Sequence, residues 1–430
     1  MSLPDFLSPD QRPPVRRAAD ASPIPVDAEL MRKVAWTWVV LAGAFCVFDL
    51  FRKVSVGLTN GDGRPIGDDF INYWSGSFLA LHQRAAEIYN WPAYHAFQEQ
   101  LVGAAVSPNY NYSYPPIMLV LAIPFALMPY VPALAAWLIA GWVSFYQALR
   151  LAMPGREALL LALAAPAVFI NVYCGQNGFW TAALLGGGLC LLERRPVIAG
   201  VLFGLQAYKP HLALMIPIAL LAGRQWRAFV AAGVTAVALA LASLALVGWD
   251  TWRAFLDLIP WLRRAAFEEA AAHWHRNASV FMVFNRLGAG VTAAYAAQAV
   301  AALVAGALVA LAWFKHAPAP ARNAAVVIGT LFATPYLQDY DLVLCVFAVA
   351  WLASPEMVAR IGARPAWIAS ASLLLMPLLV SALGKLTGLA FGPLFAVPAF
   401  VLLAKVVAGH VGEPRPRIDV PGHAPRAQQP

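Results

Sequence analysis

Residues 34–50, VAWTWVVLAGAFCVFDL, follow Arg32 and Lys33 and lead within one short connection to Gly67-Asp68-Asp69-Phe70-Ile71-Asn72-Tyr73-Trp74. The apolar run reads as a membrane helix, and its basic flank places the N-terminus in the cytoplasm and residue 54 onward on the far side. Two adjacent carboxylates just beyond such a helix need a reason. An ionised group in or beside hydrocarbon is costly, faces water, and commonly marks the site of function.

The rest of the chain repeats the first signal. Of its 430 residues, 61% are hydrophobic and 12% charged, against roughly 25% charged in a soluble domain. The net charge of +8 comes in short Lys and Arg clusters between apolar runs, where such residues set membrane orientation. That pattern excludes a nucleic-acid partner. Cys46, Cys174, Cys190 and Cys345 lie in or beside apolar runs without CxxC spacing, which argues against a disulfide framework and a zinc site. Residues 1–30, which lack the layout of a cleaved signal peptide, and 411–430 read as disordered cytoplasmic tails around one membrane unit, residues 31–410.

Within that unit the basic clusters predict roughly twelve spans. Residues 54–114 form a first external loop carrying amphipathic surface helices, and residues 249–290 a second. Residues 115–131, short and holding Pro115, Pro116, Pro124 and Pro129, are predicted to stop short of crossing. Between Arg195 and Arg224 the motif Lys209-Pro210-His211 predicts a hairpin of short, broken helices. One topology then brings five unusual polar stretches to one side: Asp68-Asp69, Gln176-Asn177, Lys209 with His211, His273 to Asn277, and Asp339 to Asp341. No phosphate-cradling GxxxxGK[ST] loop occurs, so a group donor used there would arrive on a lipid.

The order of Asp69-Phe70, then Tyr73-Trp74, Tyr114-Pro115-Pro116, Gly175-Gln176-Asn177 and Lys209-Pro210 resembles glycosyltransferase family 87. The likeness covers about residues 34–350. It implies an all-α, polytopic GT-C fold and transfer of a hexose, mannose first, from a polyprenyl-phosphate sugar to a lipid or glycan acceptor at the outer face of the plasma membrane, with inversion. In that reading Asp69 is the general base, and Lys209, His211 and Arg276 hold the donor phosphate. Asp68, Tyr73, Gln176, Asn177, His275, Asn277, Asp339 and Asp341 bind sugar or acceptor. Where many members carry a histidine near residue 339, this chain has Gln338-Asp339-Tyr340-Asp341. Neither a metal nor another cofactor is expected.

Blander readings compete at each position. Asp68 and Asp69 could cap the helix beginning near Phe70, Lys209 could snorkel to the interface, and Gln176 and Asn177 could satisfy an intramembrane turn. The His273 to Arg276 stretch could face lipid head groups. Two functional rivals remain: a transporter or flippase of polyprenyl-linked sugars, favoured by broken helices, and an outer-face glycan ligase, favoured by Arg263, Arg264 and Arg276.

Overall fold

The computed structural model describes residues 27–269 and 273–410, so most of the two expected tails, residues 1–26 and 411–430, lies outside the described residues. Among the described residues the protein is all-helical, with β pairing confined to isolated bridges such as Asn277 with Gln338. Helix α1 (Ala28–Arg52) starts inside the stretch expected to be tail. Asp27 caps it by accepting from the Glu29 amide, and Glu29 pairs with Lys33 one turn on.

The 54–114 region holds α2 (Phe70–Leu81) and α3 (Trp91–Val102). The expectation of helices lying on the membrane surface fails for α2, which is buried along almost its whole length. Two of its polar residues, Asn72 and Ser77, which give it an amphipathic look, find partners inside. Ser77 donates to the Leu119 carbonyl at 2.9 Å, and Asn72 accepts from Gln98 at 3.1 Å and, at its carbonyl, from Tyr94 at 2.8 Å. Against it packs α4 (Ile117–Ala126), ten residues long with Pro124 inside. At 1.5 Å per residue that is about 15 Å, too short to cross a bilayer.

After α5 (Tyr130–Ala152) the chain breaks at proline twice. Helices α6 (Glu157–Ala164) and α7 (Pro166–Tyr173) meet at Pro166, and α8 (Gly178–Leu191) is followed by α9 (Pro196–Leu205) and α10 (Met215–Ala222), parted by two short 3-10 turns around Lys209-Pro210. Proline lacks the amide that would continue a helix. The long α11 (Trp226–Arg263) bends at Gly248, whose φ of 73° suits glycine, and runs on as helix to Arg263 where an external loop was expected from residue 249.

The remaining helices are α12 (Val280–Arg286), α13 (Val291–Phe314), α14 (Ala319–Ala333), α15 (Cys345–Leu352), α16 (Pro355–Ile361), α17 (Ala363–Thr387) and α18 (Gly392–His410). Six described helices, α1, α5, α11, α13, α17 and α18, are long and apolar enough to cross a membrane, or seven spans if the pair bent by 75° between residues 339–352 and 355–361 counts as one. The protein is therefore a multi-pass membrane protein, while the count of twelve spans is not confirmed.

Two apolar cores hold it together, one built on α14, α15, α17 and α18, the other on α2, α4 and the first half of α5. Helix α8 joins them: Phe179, Ala182 and Leu185 belong to the first, while Trp180 and Leu184 pack on the second. Gln176 and Asn177 stand at the head of that joining helix.

Candidate active site

Everything turns on the short link before α2. Gly67 and Asp68 both take left-handed backbone, with φ of 77° and 42°, and the turn is docked on the loop after α7, where the Asp69 amide donates to the Cys174 carbonyl at 3.1 Å. A side chain at Gly175 would place its Cβ 1.9 Å from the Gly67 carbonyl oxygen, so only glycine fits there. A positive φ at a non-glycine residue costs free energy and persists where the surroundings over-determine it.

Asp68 is over-determined. Its Oδ1 accepts from Arg64 Nε at 2.9 Å and Tyr110 at 2.6 Å, and its Oδ2 from Lys53 at 2.5 Å and Arg64 Nη2 at 2.8 Å. Lys53 also pairs with Asp49 at 2.7 Å, and Arg64 reaches the Tyr173 hydroxyl. With a side chain 4% exposed and four donors in place, Asp68 is spoken for. Asp68, expected to bind sugar or acceptor, is the keystone of a buried ion cage at the edge of the cavity.

Asp69 differs in every respect. Its side chain faces a cavity of about 1740 Å³ that opens among α1, α7, α11 and α17. Among the described residues no cation pairs with it, and Gln176 Nε2 donates to its Oδ2 at 2.7 Å. Although Asp69 stands at the start of α2, its side chain makes no capping bond, so the capping reading fails. Burial pushes its carboxyl above the ordinary value, the Gln176 hydrogen bond draws it down, and the neighbouring Asp68 charge raises it again.

Gln176 is itself held from behind. Its Oε1 accepts from the Tyr73 hydroxyl at 2.6 Å and from the Asn177 amide at 3.2 Å. Asn177 Nδ2 donates to the hydroxyls of Tyr73 and Tyr114 at 3.1 and 3.0 Å, and its Oδ1 accepts from Lys209 at 3.0 Å. Lys209 ends the chain on Asp341 at 2.5 Å. A continuous relay thus runs from Asp69 to Asp341, and each member fixes the orientation of the next. Tyr73 and Asn177, expected to touch sugar, are fully buried inside this relay.

The expected phosphate ligands Lys209, His211 and Arg276 all border the cavity, and the two cations among them are paired within the protein. Lys209 and Asp341, 2% and 0% exposed, neutralise each other. Arg276 grips Asp339, also on the cavity wall, through two bonds of 2.8 and 2.7 Å and also reaches Cys174. His211 lines the cavity, but burial and the Lys209 charge pull its imidazole down to about 3, which leaves it neutral. Asn277 is a loop staple: its Oδ1 accepts from the Ser279 and Leu337 amides at 3.0 and 3.4 Å. His275 does line the cavity, as expected, beside His273.

The structure therefore brings all five predicted stretches to one place, with Asp68, Asp69, Gln176, Lys209, His211, His275, Arg276 and Asp339 bordering the cavity and Tyr73, Asn177 and Asp341 in the frame behind. Sequence reasoning missed Lys53, Arg64 and Tyr110, whose only local signal is the basic pair Arg52-Lys53 at the far end of the first span. It also missed Lys385, on the cavity wall at the end of α17.

The fold is that of an all-helical, multi-pass membrane protein with a carboxylate on the wall of a large cavity. The chain belongs to glycosyltransferase family 87, whose family model matches residues 112–337, more than half of its length. It is thus a membrane glycosyltransferase. The matched region supplies Tyr114, Gln176, Asn177, Lys209 and Arg276, while Asp69 lies upstream of it and Lys385 downstream. No curated protein and no solved structure matches the chain.

Proposed function

We propose that the protein is a GT-C glycosyltransferase of the plasma membrane that moves a hexosyl group, mannosyl first, from a polyprenyl-phosphate sugar to a lipid or glycan acceptor at the outer face, with inversion and with Asp69 as general base. The observation that carries this is the contrast in pairing at the cavity: among the described residues Asp68, Asp339 and Asp341 each meet a cation, whereas Asp69, which lines the cavity, has no ion pair. Both chain ends lie in the cytoplasm in this reading, because Arg32, Lys33 and the later basic clusters fall on one side.

The step needs one carboxylate. The acceptor hydroxyl oxygen attacks the anomeric carbon, the bond from that carbon to the phosphate oxygen breaks, the electron pair leaves on the lipid phosphate, and Asp69 takes the hydroxyl proton. Positioned proton transfer of this kind contributes about 10²–10⁴-fold. Single displacement requires no covalent sugar-enzyme intermediate, unlike retaining chemistry with its paired carboxylates. The raised position of the Asp69 carboxyl strengthens it as a base, and the Gln176 bond orients it and favours its ionised form.

The test supplies the purified protein with polyprenyl-phosphate mannose, glucose or galactose and a membrane lipid extract, and reads released polyprenyl phosphate and mass-shifted products. Release with one donor and a hexose added to a lipid or glycan is expected. Donor binding without release from any of the three would overturn the transfer reading and favour a flippase.

A further inference from the structure

The cavity has an apolar flank that proton transfer does not use. Helix α7 packs on both α1 and α17 and forms the floor of a furrow with those two helices as its rims. Trp38 and Phe45 of α1, Phe169 of α7, and Leu378 of α17 line it. Along α17 it runs from Pro377 to Lys385, about 12 Å at 1.5 Å per residue. The α1 rim is otherwise bare, with Val40, Leu41, Val47 and Phe48 each more than half exposed, so the furrow communicates with the lipid-facing side of the protein.

At its head stands, among the described residues, one exposed cation without a carboxylate partner, Lys385. Lys53, Arg64, Lys209 and Arg276 each meet a carboxylate within 2.9 Å. Among the described residues no ion pair or hydrogen bond engages the Lys385 ammonium, although it stands on the same wall. His273 and His275 lie beside it. Gly384 is so close that a Cβ there would sit 3.1 Å from the Cβ of His275, and the Lys385 charge acts on both imidazoles. An unmatched cation with hydrogen-bonding imidazoles above an apolar furrow is complementary to an anionic head on a long hydrocarbon chain.

We propose that Lys385, flanked by His273 and His275, binds the phosphate of a prenyl phosphate and that the furrow between α1 and α17 takes its chain. The proposal rests on the glycosyltransferase reading for its role: the phosphate bound there is the donor's, and its sugar lies over the cavity toward Asp69. It moves the phosphate site from Lys209, whose charge is cancelled by Asp341, to a residue outside the family-matched region. As the bond to the sugar breaks, charge grows on the phosphate oxygen, and a nearby ammonium stabilises that change.

The experiment is a binding measurement without turnover. Protein in nanodiscs is titrated with farnesyl phosphate and with farnesol, using wild type, Lys385→Glu and Leu378→Trp, each checked for an unchanged thermal transition. Wild type is expected to prefer the phosphate, Lys385→Glu to lose roughly tenfold or more for farnesyl phosphate with farnesol unaffected, and Leu378→Trp to weaken both ligands. Unchanged farnesyl phosphate binding by Lys385→Glu would place the phosphate elsewhere, and unchanged binding by Leu378→Trp would remove the chain from the furrow. Binding that follows this pattern in a protein that transfers no sugar sinks the enzymatic reading and leaves the site standing; sugar transfer with Lys385→Glu binding intact does the reverse.

Discussion

Asp68 and Asp69 are joined by one peptide bond and have opposite fates. Asp68 receives four donors from Lys53, Arg64 and Tyr110, so its charge is matched although it borders the same cavity. Asp69 receives one from the neutral Gln176 and lies on the cavity wall. The left-handed turn at Gly67 and Asp68 sends the two side chains in different directions. A carboxylate with its charge fully matched stabilises a fold, whereas one left unmatched at a cavity is available for chemistry.

The same division separates the relay from the wall, and perturbing it should have graded effects. The largest is expected at Lys209. Lys209→Met leaves Asp341 buried without its cation, which should cost about 3–5 kcal/mol, read as an earlier thermal transition in detergent; adding Asp341→Asn should recover most of it. Asp68→Asn should follow at about 3 kcal/mol, since Lys53 and Arg64 lose their shared anion while Asp49 still meets Lys53. A thermal transition unchanged by either substitution would contradict the matched-charge account.

Gln176→Ala tests the other side of the comparison. Removing a hydrogen bond to an ionised group is worth roughly 1.5–3 kcal/mol, so turnover should fall about 10- to 100-fold with donor binding retained. The sign of its pH effect is fixed. The Gln176 bond lowers a carboxyl that burial raises, the base works only when ionised, and so the acid limb of the rate profile should move to higher pH in Gln176→Ala. A limb that moves to lower pH would contradict Asp69 as the titrating base. The smallest effect is expected from EDTA, which should leave turnover unchanged: the sequence lacks metal-ligand spacing, and among the described residues no group of three or more His, Cys, Asp or Glu is placed to hold a metal ion.

Much of this site was legible because it depends on local signals. Pro210 after Lys209 predicts the broken hairpin, four prolines predict the short α4, and charge parity gathers the five polar stretches on one side. The pairing was not legible, because it depends on distant contacts: Lys209 meets Asp341 across 132 positions, and Arg276 meets Asp339 across 63. Hydropathy also overstates continuity, since Pro166 breaks an apolar run that reads as one span. Helix α2 reads as amphipathic because Asn72 and Ser77 are polar, yet both are satisfied by partners 26 and 42 positions away. Lys385 carries no motif at all, and its meaning comes only from the absence of a carboxylate nearby among the described residues.

The most direct test of the account is polyprenyl phosphate release by Asp69→Asn beside Asp68→Asn and wild type, at saturating donor and acceptor and at a temperature where all three are folded. Asp69→Asn should melt like wild type, bind donor like wild type, and release about 10²–10⁴-fold more slowly, while Asp68→Asn melts earlier and keeps most of its release rate per folded molecule. Release by Asp69→Asn at the wild-type rate would contradict the account and place the base elsewhere.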